Sequence, residues 1–85
     1  MYTMVINVCP YTSAEIYMIP ADLESETHDA HVSCFVPDLG PQAKKILQET
    51  TVNNIILTGS PHSYLQQIRS DLRPYAKSTP IEIQE

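Results

Sequence analysis

Residues 52–65 read VNNIILTGSPHSYL, and this stretch decides the fold. A short apolar run bounded by polar residues is the pattern of a strand covered on both faces. Gly59 lets the backbone turn sharply, Ser60 is placed to cap the next helix, and Pro61 suits its first turn. The stretch therefore predicts a buried strand, a tight loop and the start of a helix.

Upstream, residues 3–9 (TMVINVC) are apolar on both alternating faces, which predicts a central strand with Asn7 as its polar member. Residues 10–13 (PYTS) form a turn: Pro10 ends ladder pairing, and Thr12 and Ser13 bond local backbone. Residues 14–19 (AEIYMI) are a second strand, and so short a connection implies an antiparallel hairpin. Residues 21–30 carry Asp22, Glu24, Glu26 and Asp29 and lack the apolar spacing of a buried element. They are expected to be an exposed acidic loop with room for one helical turn at 22–25. Residues 31–36 (HVSCFV) alternate and stop at Pro37, giving a third strand.

Downstream, Gly40-Pro41 opens a helix with Pro41 at its first position, and Ala43, Ile46, Leu47 and Thr50 share one face. After the Gly59 loop a second helix turns Tyr64, Leu65, Ile68, Leu72 and Tyr75 inward, and Pro74 is expected to end its regular hydrogen bonding. Residues 80–84 (PIEIQ) make a short last strand, suited to an edge by Pro80 and Glu82. The order is β-β-β-α-β-α-β. Three strands form an antiparallel meander, and right-handed crossovers add two parallel strands. The most apolar strands belong at the centre. The prediction is an α/β fold with a mixed five-stranded sheet ordered 3-2-1-4-5, two helices, and one domain over residues 1–85.

This arrangement resembles the ribonuclease H-like fold of nucleases, resolvases and the half-domains of actin-like sugar kinases and ATPases. Residues 54–60 (NIILTGS) also look like the "IILTGG" strand and turn of the actin-like ATPase group. For nucleases of that fold, the resemblance implies carboxylates on the first strand and near the end of the fourth, clamping two divalent ions. Here the first strand offers Asn7 and the fourth ends in Thr58-Gly59-Ser60. An amide does not neutralise Mg²⁺ as carboxylates do. The departure falls on the positions the activity needs, so a non-catalytic domain is expected.

The alternative places an anion- or nucleotide-binding site, or a metal-dependent nuclease, at the Gly59 loop and the edge of the first strand. Asn7, Thr12, Ser13, Thr58, Gly59, Ser60, His62 and Ser63 are its candidate ligand contacts. They lie at a topological switch point, with backbone N–H groups at a helix start and a chargeable imidazole. For a metal, His28, Asp29 and His31 are the candidates, two imidazoles three residues apart with a carboxylate between. No metal site and no cofactor is expected. No GxSxG is present, and Cys9 has no evident electropositive neighbour to activate it.

With 85 residues the chain buries about 60–65% of the surface its unfolded form exposes, so self-association is a way to gain core. Dimerisation through the last strand or the third is expected. The formal net charge of −5, with five Lys and Arg, argues against broad contact with nucleic acid. A protein partner of basic character fits better. No run is long enough to span a membrane. A cytoplasmic location with Cys9 and Cys34 as reduced, partly buried thiols is the expectation.

Overall fold

The computed structural model describes residues 2–9, 12–20 and 30–84. Its strands are β1 (Tyr2–Val8), β2 (Ser13–Pro20), β3 (Ala30–Phe35), β4 (Val52–Thr58) and β5 (Ile81–Ile83). Its helices are α1 (Leu39–Glu49), entered through a 3-10 turn at Val36–Asp38, and α2 (His62–Ala76). The sheet order is β3-β2-β1-β4-β5. β1 and β2 pair antiparallel, as do β2 and β3, while β4 lies parallel to both β1 and β5. The α/β class, the mixed sheet, its order and the two helices are those the sequence predicts. The acidic stretch 21–29 lies outside the described residues.

The hairpin between β1 and β2 is closed by Cys9 N–H donating to Ser13 O at 2.8 Å and Thr12 N–H donating to Cys9 O at 3.2 Å. Both crossovers then step the same way across the sheet, from β3 to β4 and from β4 to β5. Right-handed crossovers of that kind put both helices on one face. Burial follows suit. Met4, Ile6 and Val8 of β1, Ala14, Ile16 and Met18 of β2, and Ile55 and Leu57 of β4 are buried. They form one cluster with Leu39 and Ala43 of α1 and Leu65, Ile68, Leu72 and Ala76 of α2. Val32, Cys34 and Ile83 extend it toward the two edges. The helices meet where the ring of Tyr75 lies over Gly40, whose Cβ, if present, would sit 3.0 Å from the Tyr75 ring.

The opposite face carries Thr3, Val5 and Asn7 of β1, Glu15, Tyr17 and Ile19 of β2, and Asn54, Ile56 and Thr58 of β4. None of these is buried. The expectation that β4 is covered on both faces is therefore corrected. With two helices among the described residues, both on one side, Ile55 and Leu57 are enclosed and Ile56 between them is half-buried. Cross-strand contacts satisfy part of this face. Thr3 Oγ1 donates to Asn54 Oδ1 at 3.0 Å, and these residues are register partners.

Three local expectations also shift. Pro41 is the third residue of α1, where its missing N–H is still one the helix leaves unpaired. β1 ends at Val8, so Cys9 is exposed rather than partly buried. Pro74 lies inside α2. The carbonyl that loses its N–H partner belongs to exposed Ser70, which water can reach, while buried Leu72 and Ala76 on either side hold the last turn to the core. Packing overrides the proline.

α2 ends on Lys77, the one described non-glycine residue at positive φ (φ 55°, ψ −112°). Its N–H still donates to Arg73 O at 3.0 Å, and Thr79 N–H donates to Ala76 O at 3.0 Å, turning the chain back toward β5. A Cβ is strained in that conformation, and glycine is not. Lys77→Gly is expected to stabilise the fold by about 0.5–1 kcal/mol, the relief exceeding the added unfolded-state entropy. Urea unfolding monitored by circular dichroism checks this through an upward shift in midpoint at unchanged slope.

Candidate functional site

The candidate site is the sheet edge where β1 and β4 end. Asn7 and Thr58 are register partners there, so the turn after β4 runs beside the last residues of β1. Gly59 has φ 94°, and a Cβ built on it would lie 2.0 Å from Asn7 Oδ1 and 3.0 Å from Val8 O. Glycine is required on both counts: the backbone conformation excludes a side chain, and Asn7 fills the space one would need. Ser60 follows, only 8% exposed and the one buried polar residue described. Its Oγ donates to Val8 O at 2.5 Å. The turn is thus pinned to β1 by a hydroxyl and fitted against its amide.

This corrects the expected role of Ser60. It does not cap α2: the N-cap is Pro61, with no side-chain cap bond, and Tyr64 and Leu65 N–H groups donate to Pro61 O at 3.0 and 3.1 Å. A hydroxyl committed to a strand carbonyl is not offered to an anion. Pro61 accordingly stands one position before the first helical residue. His62 and Ser63 lie exposed in the first turn of α2. Gln66 Nε2 and His62 Nε2 lie 2.8 Å apart in a hydrogen bond along the exposed side of the helix. Thr12 and Ser13 are at the same end of the sheet on the β1–β2 hairpin. Thr12 Oγ1 donates to Cys9 O at 3.3 Å, and the Ser13 carbonyl accepts from Cys9 N–H. The structure therefore brings Asn7, Thr58, Gly59 and Ser60 together, sets Thr12 and Ser13 nearby, and spends several of their polar groups on the backbone.

His28 and Asp29 lie outside the described residues, and His31 takes its place in β3 opposite Tyr17. Among the described residues no group of three or more His, Cys, Asp or Glu is arranged to hold a metal ion. Two clefts flank the helices, of about 590 Å³ and about 500 Å³. The first, at Thr51, Lys44 and Lys77, is at the opposite end of the sheet from Gly59, and the second lies between Pro37, Pro41 and Tyr75. Neither is lined by the candidate ligand contacts.

Sequence reasoning missed the uncovered face of the sheet. There Tyr17 Oη donates to Glu15 Oε2 at 2.5 Å beside half-buried Val5, Ile19 and Ile56. The signal was available: Asn7, Glu15, Ser33 and Thr58 all share one side once the register is set. The carboxylate of Glu15 accepts from the phenol, and this bond first, then burial and the repulsion between the two charges, raises the Tyr17 pKa. On β3, burial and then the charge of Asp38 raise the pKa of the Cys34 thiol. Cys9 and Cys34 are both free; Cys9 follows β1, Cys34 lies in β3, and β2 runs between those two strands.

No known family model matches the chain, and no curated protein matches its sequence.

Gly59→Ala, forced into positive φ against Asn7, is expected to destabilise by about 2–4 kcal/mol. Ser60→Ala, which leaves a buried carbonyl without its donor, should cost about 1–3 kcal/mol, both read by denaturant unfolding. For Tyr17, the folded pKa lies above the unfolded one, so the neutral form is favoured by folding. That contribution is present below the ordinary tyrosine value and is lost as pH rises through the folded pKa. In ¹³C-tyrosine NMR, Tyr17 should titrate at higher pH in the wild type than in Glu15→Gln; identical curves would remove the assignment.

Proposed function

We propose that the protein is a non-catalytic interaction domain that docks a basic protein partner on the uncovered face of its sheet. The observation that carries this is a separation of charge across the fold. All five cations, Lys44, Lys45, Arg69, Arg73 and Lys77, belong to α1, α2 or the turn after α2. The described part of the open face has none. It carries Glu15 and, opposite Ile56, Glu82 of β5, around the apolar Val5, Tyr17, Ile19 and Ile56. An apolar centre with an acidic rim is complementary to a cationic surface with apolar anchors.

The topology is consistent with a reduced ribonuclease H-like domain, and Asn7 stands where a nuclease of that fold needs an acid. The competing reading, a ligand or metal-ion site at the Gly59 turn, is disfavoured by the commitment of the Ser60 hydroxyl to Val8 O of β1. No helix among the described residues is long and apolar enough to cross a membrane. With two free, separated thiols, we assign the domain to the reducing cytoplasm.

Affinity capture from the native cell, with wild type and Ile56→Lys as parallel baits, tests the proposal once circular dichroism shows both baits folded. The expected result is one or more basic proteins held by the wild type and lost both with Ile56→Lys and at high salt. The purified partner should then bind the wild type directly. Equal capture by both baits overturns the docking face. A rise in melting temperature with Mn²⁺, ATP or phosphate, abolished by His62→Ala and Ser63→Ala together, would instead place the function at the Gly59 turn.

A further inference from the structure

We propose that the outer edge of β3 pairs antiparallel with β3 of a second copy of this chain, in the register centred on Ser33. The inference uses the strand edge, not the sheet face, and stands whether or not a basic partner exists.

The first observation is the phase of the hydrogen bonds. Val36 N–H donates to Thr12 O at 3.2 Å, continuing the register in which Phe35 faces Ser13 and Cys34 faces Ala14. In an antiparallel ladder, directly opposed residues alternate between pairs that exchange hydrogen bonds and pairs that do not. Val36, Cys34 and Val32 therefore bond β2. The other side of β2 agrees. Cys9 N–H donates to Ser13 O, so the odd-numbered residues of β2 bond β1 and the even-numbered ones are left for β3. The backbone groups of His31, Ser33 and Phe35 consequently point away from the sheet, along an edge with no further strand among the described residues.

The second observation is that β3 itself, among the described residues, carries none of the usual protections of sequence and length. Strands at sheet edges are normally kept short, charged, or interrupted by proline to prevent pairing. β5, the other edge, follows that rule: it has three residues, Pro80 precedes it, and Glu82 sits at its middle. β3 has six residues, AHVSCF, with no Asp, Glu, Lys, Arg or Pro. Phe35 at its end is 70% exposed, the one large hydrophobic residue so exposed among those described.

The third is self-complementarity. Centred on Ser33, the antiparallel register puts Ser33 opposite Ser33 of the second copy, and His31 and Phe35 opposite one another twice. All three outward-facing residues then exchange bonds, on the order of six in total. Val32 falls opposite Cys34 of the second copy on the helix side, where both already pack on the core, so the apolar cluster continues across the two-fold axis. Two copies of formal charge −5 repel, but the strand that joins them is uncharged, whereas a cationic partner strand would find no counter-charge on β3. A second copy is the occupant the edge fits. The interface is small, so the dimer is weak and reversible and tightens as salt screens the repulsion.

Sedimentation equilibrium of the full chain tests this. The wild type should show a reversible dimer of twice 9.6 kDa. Ser33→Pro removes an outward N–H that β2 does not use, so it should leave the circular dichroism spectrum unchanged and abolish the dimer. Ser33→Lys and Ser33→Glu, each self-opposed at the axis, should each weaken it several-fold, and their equimolar mixture should restore it. A wild type that stays at 9.6 kDa into the millimolar range overturns the proposal. So does undiminished dimerisation of both charged variants, or a mixture no tighter than its components. If Ser33→Pro does not fold, the charge pair alone decides. Ile56→Lys should leave the dimer intact, which separates this edge from the docking face.

Discussion

The parallel pairing of β1 with β4, locked at its end by the Gly59–Ser60 turn, is the contact on which the rest of the structure depends. It joins an antiparallel meander made of local contacts to two crossover units whose contacts are distant in sequence. Without it the chain has two half-sheets, each with one exposed edge too many. Ser60 fixes the end of the pair by donating to Val8 O, and Gly59 lets the turn approach close enough for that bond. Met4, Ile6, Ile55 and Leu57 then face the helices together, and burial of α1 and α2 follows from their alignment.

The same pairing decides what the site at this edge is able to do. A switch point between parallel and antiparallel halves of a sheet is where α/β folds commonly bind ligands. Here the turn is packed onto β1: the buried Ser60 hydroxyl meets a carbonyl, and the exposed Asn7 amide fills the space over a glycine. The chemistry expected of a ligand loop has become the chemistry of a clasp. The proposed docking face lies elsewhere, on the side of the sheet that the two helices do not cover.

The sheet order was legible because turn lengths and apolar content limit the topologies sharply. A connection of a few residues between β1 and β2 admits only a hairpin, and the proline-flanked apolar segments bound the other strands. The sidedness of the sheet was less legible. Ile55-Ile56-Leu57 is apolar on both faces, and composition alone does not distinguish a strand enclosed on two sides from one whose second face awaits a partner. Pro74 misled for a related reason: local propensity ends the helix there, whereas burial of Leu72 and Ala76, set by tertiary packing, carries it on. Ser60 has the right identity and position for a helix cap. Its bond to Val8, fifty-two residues earlier, depends on a neighbour that only the folded sheet supplies.

The Gly59 clasp at one edge and the proposed docking face on the sheet are separate surfaces, and amide chemical-shift mapping distinguishes them. The measurement is a ¹⁵N-correlation titration of the labelled protein with the proposed basic partner once that partner is purified. The account predicts shifts concentrated on Val5, Tyr17, Ile19 and Ile56, with Gly59, Ser60, His62 and Ser63 unmoved. Shifts centred on the Gly59 turn, with the sheet face silent, would contradict it.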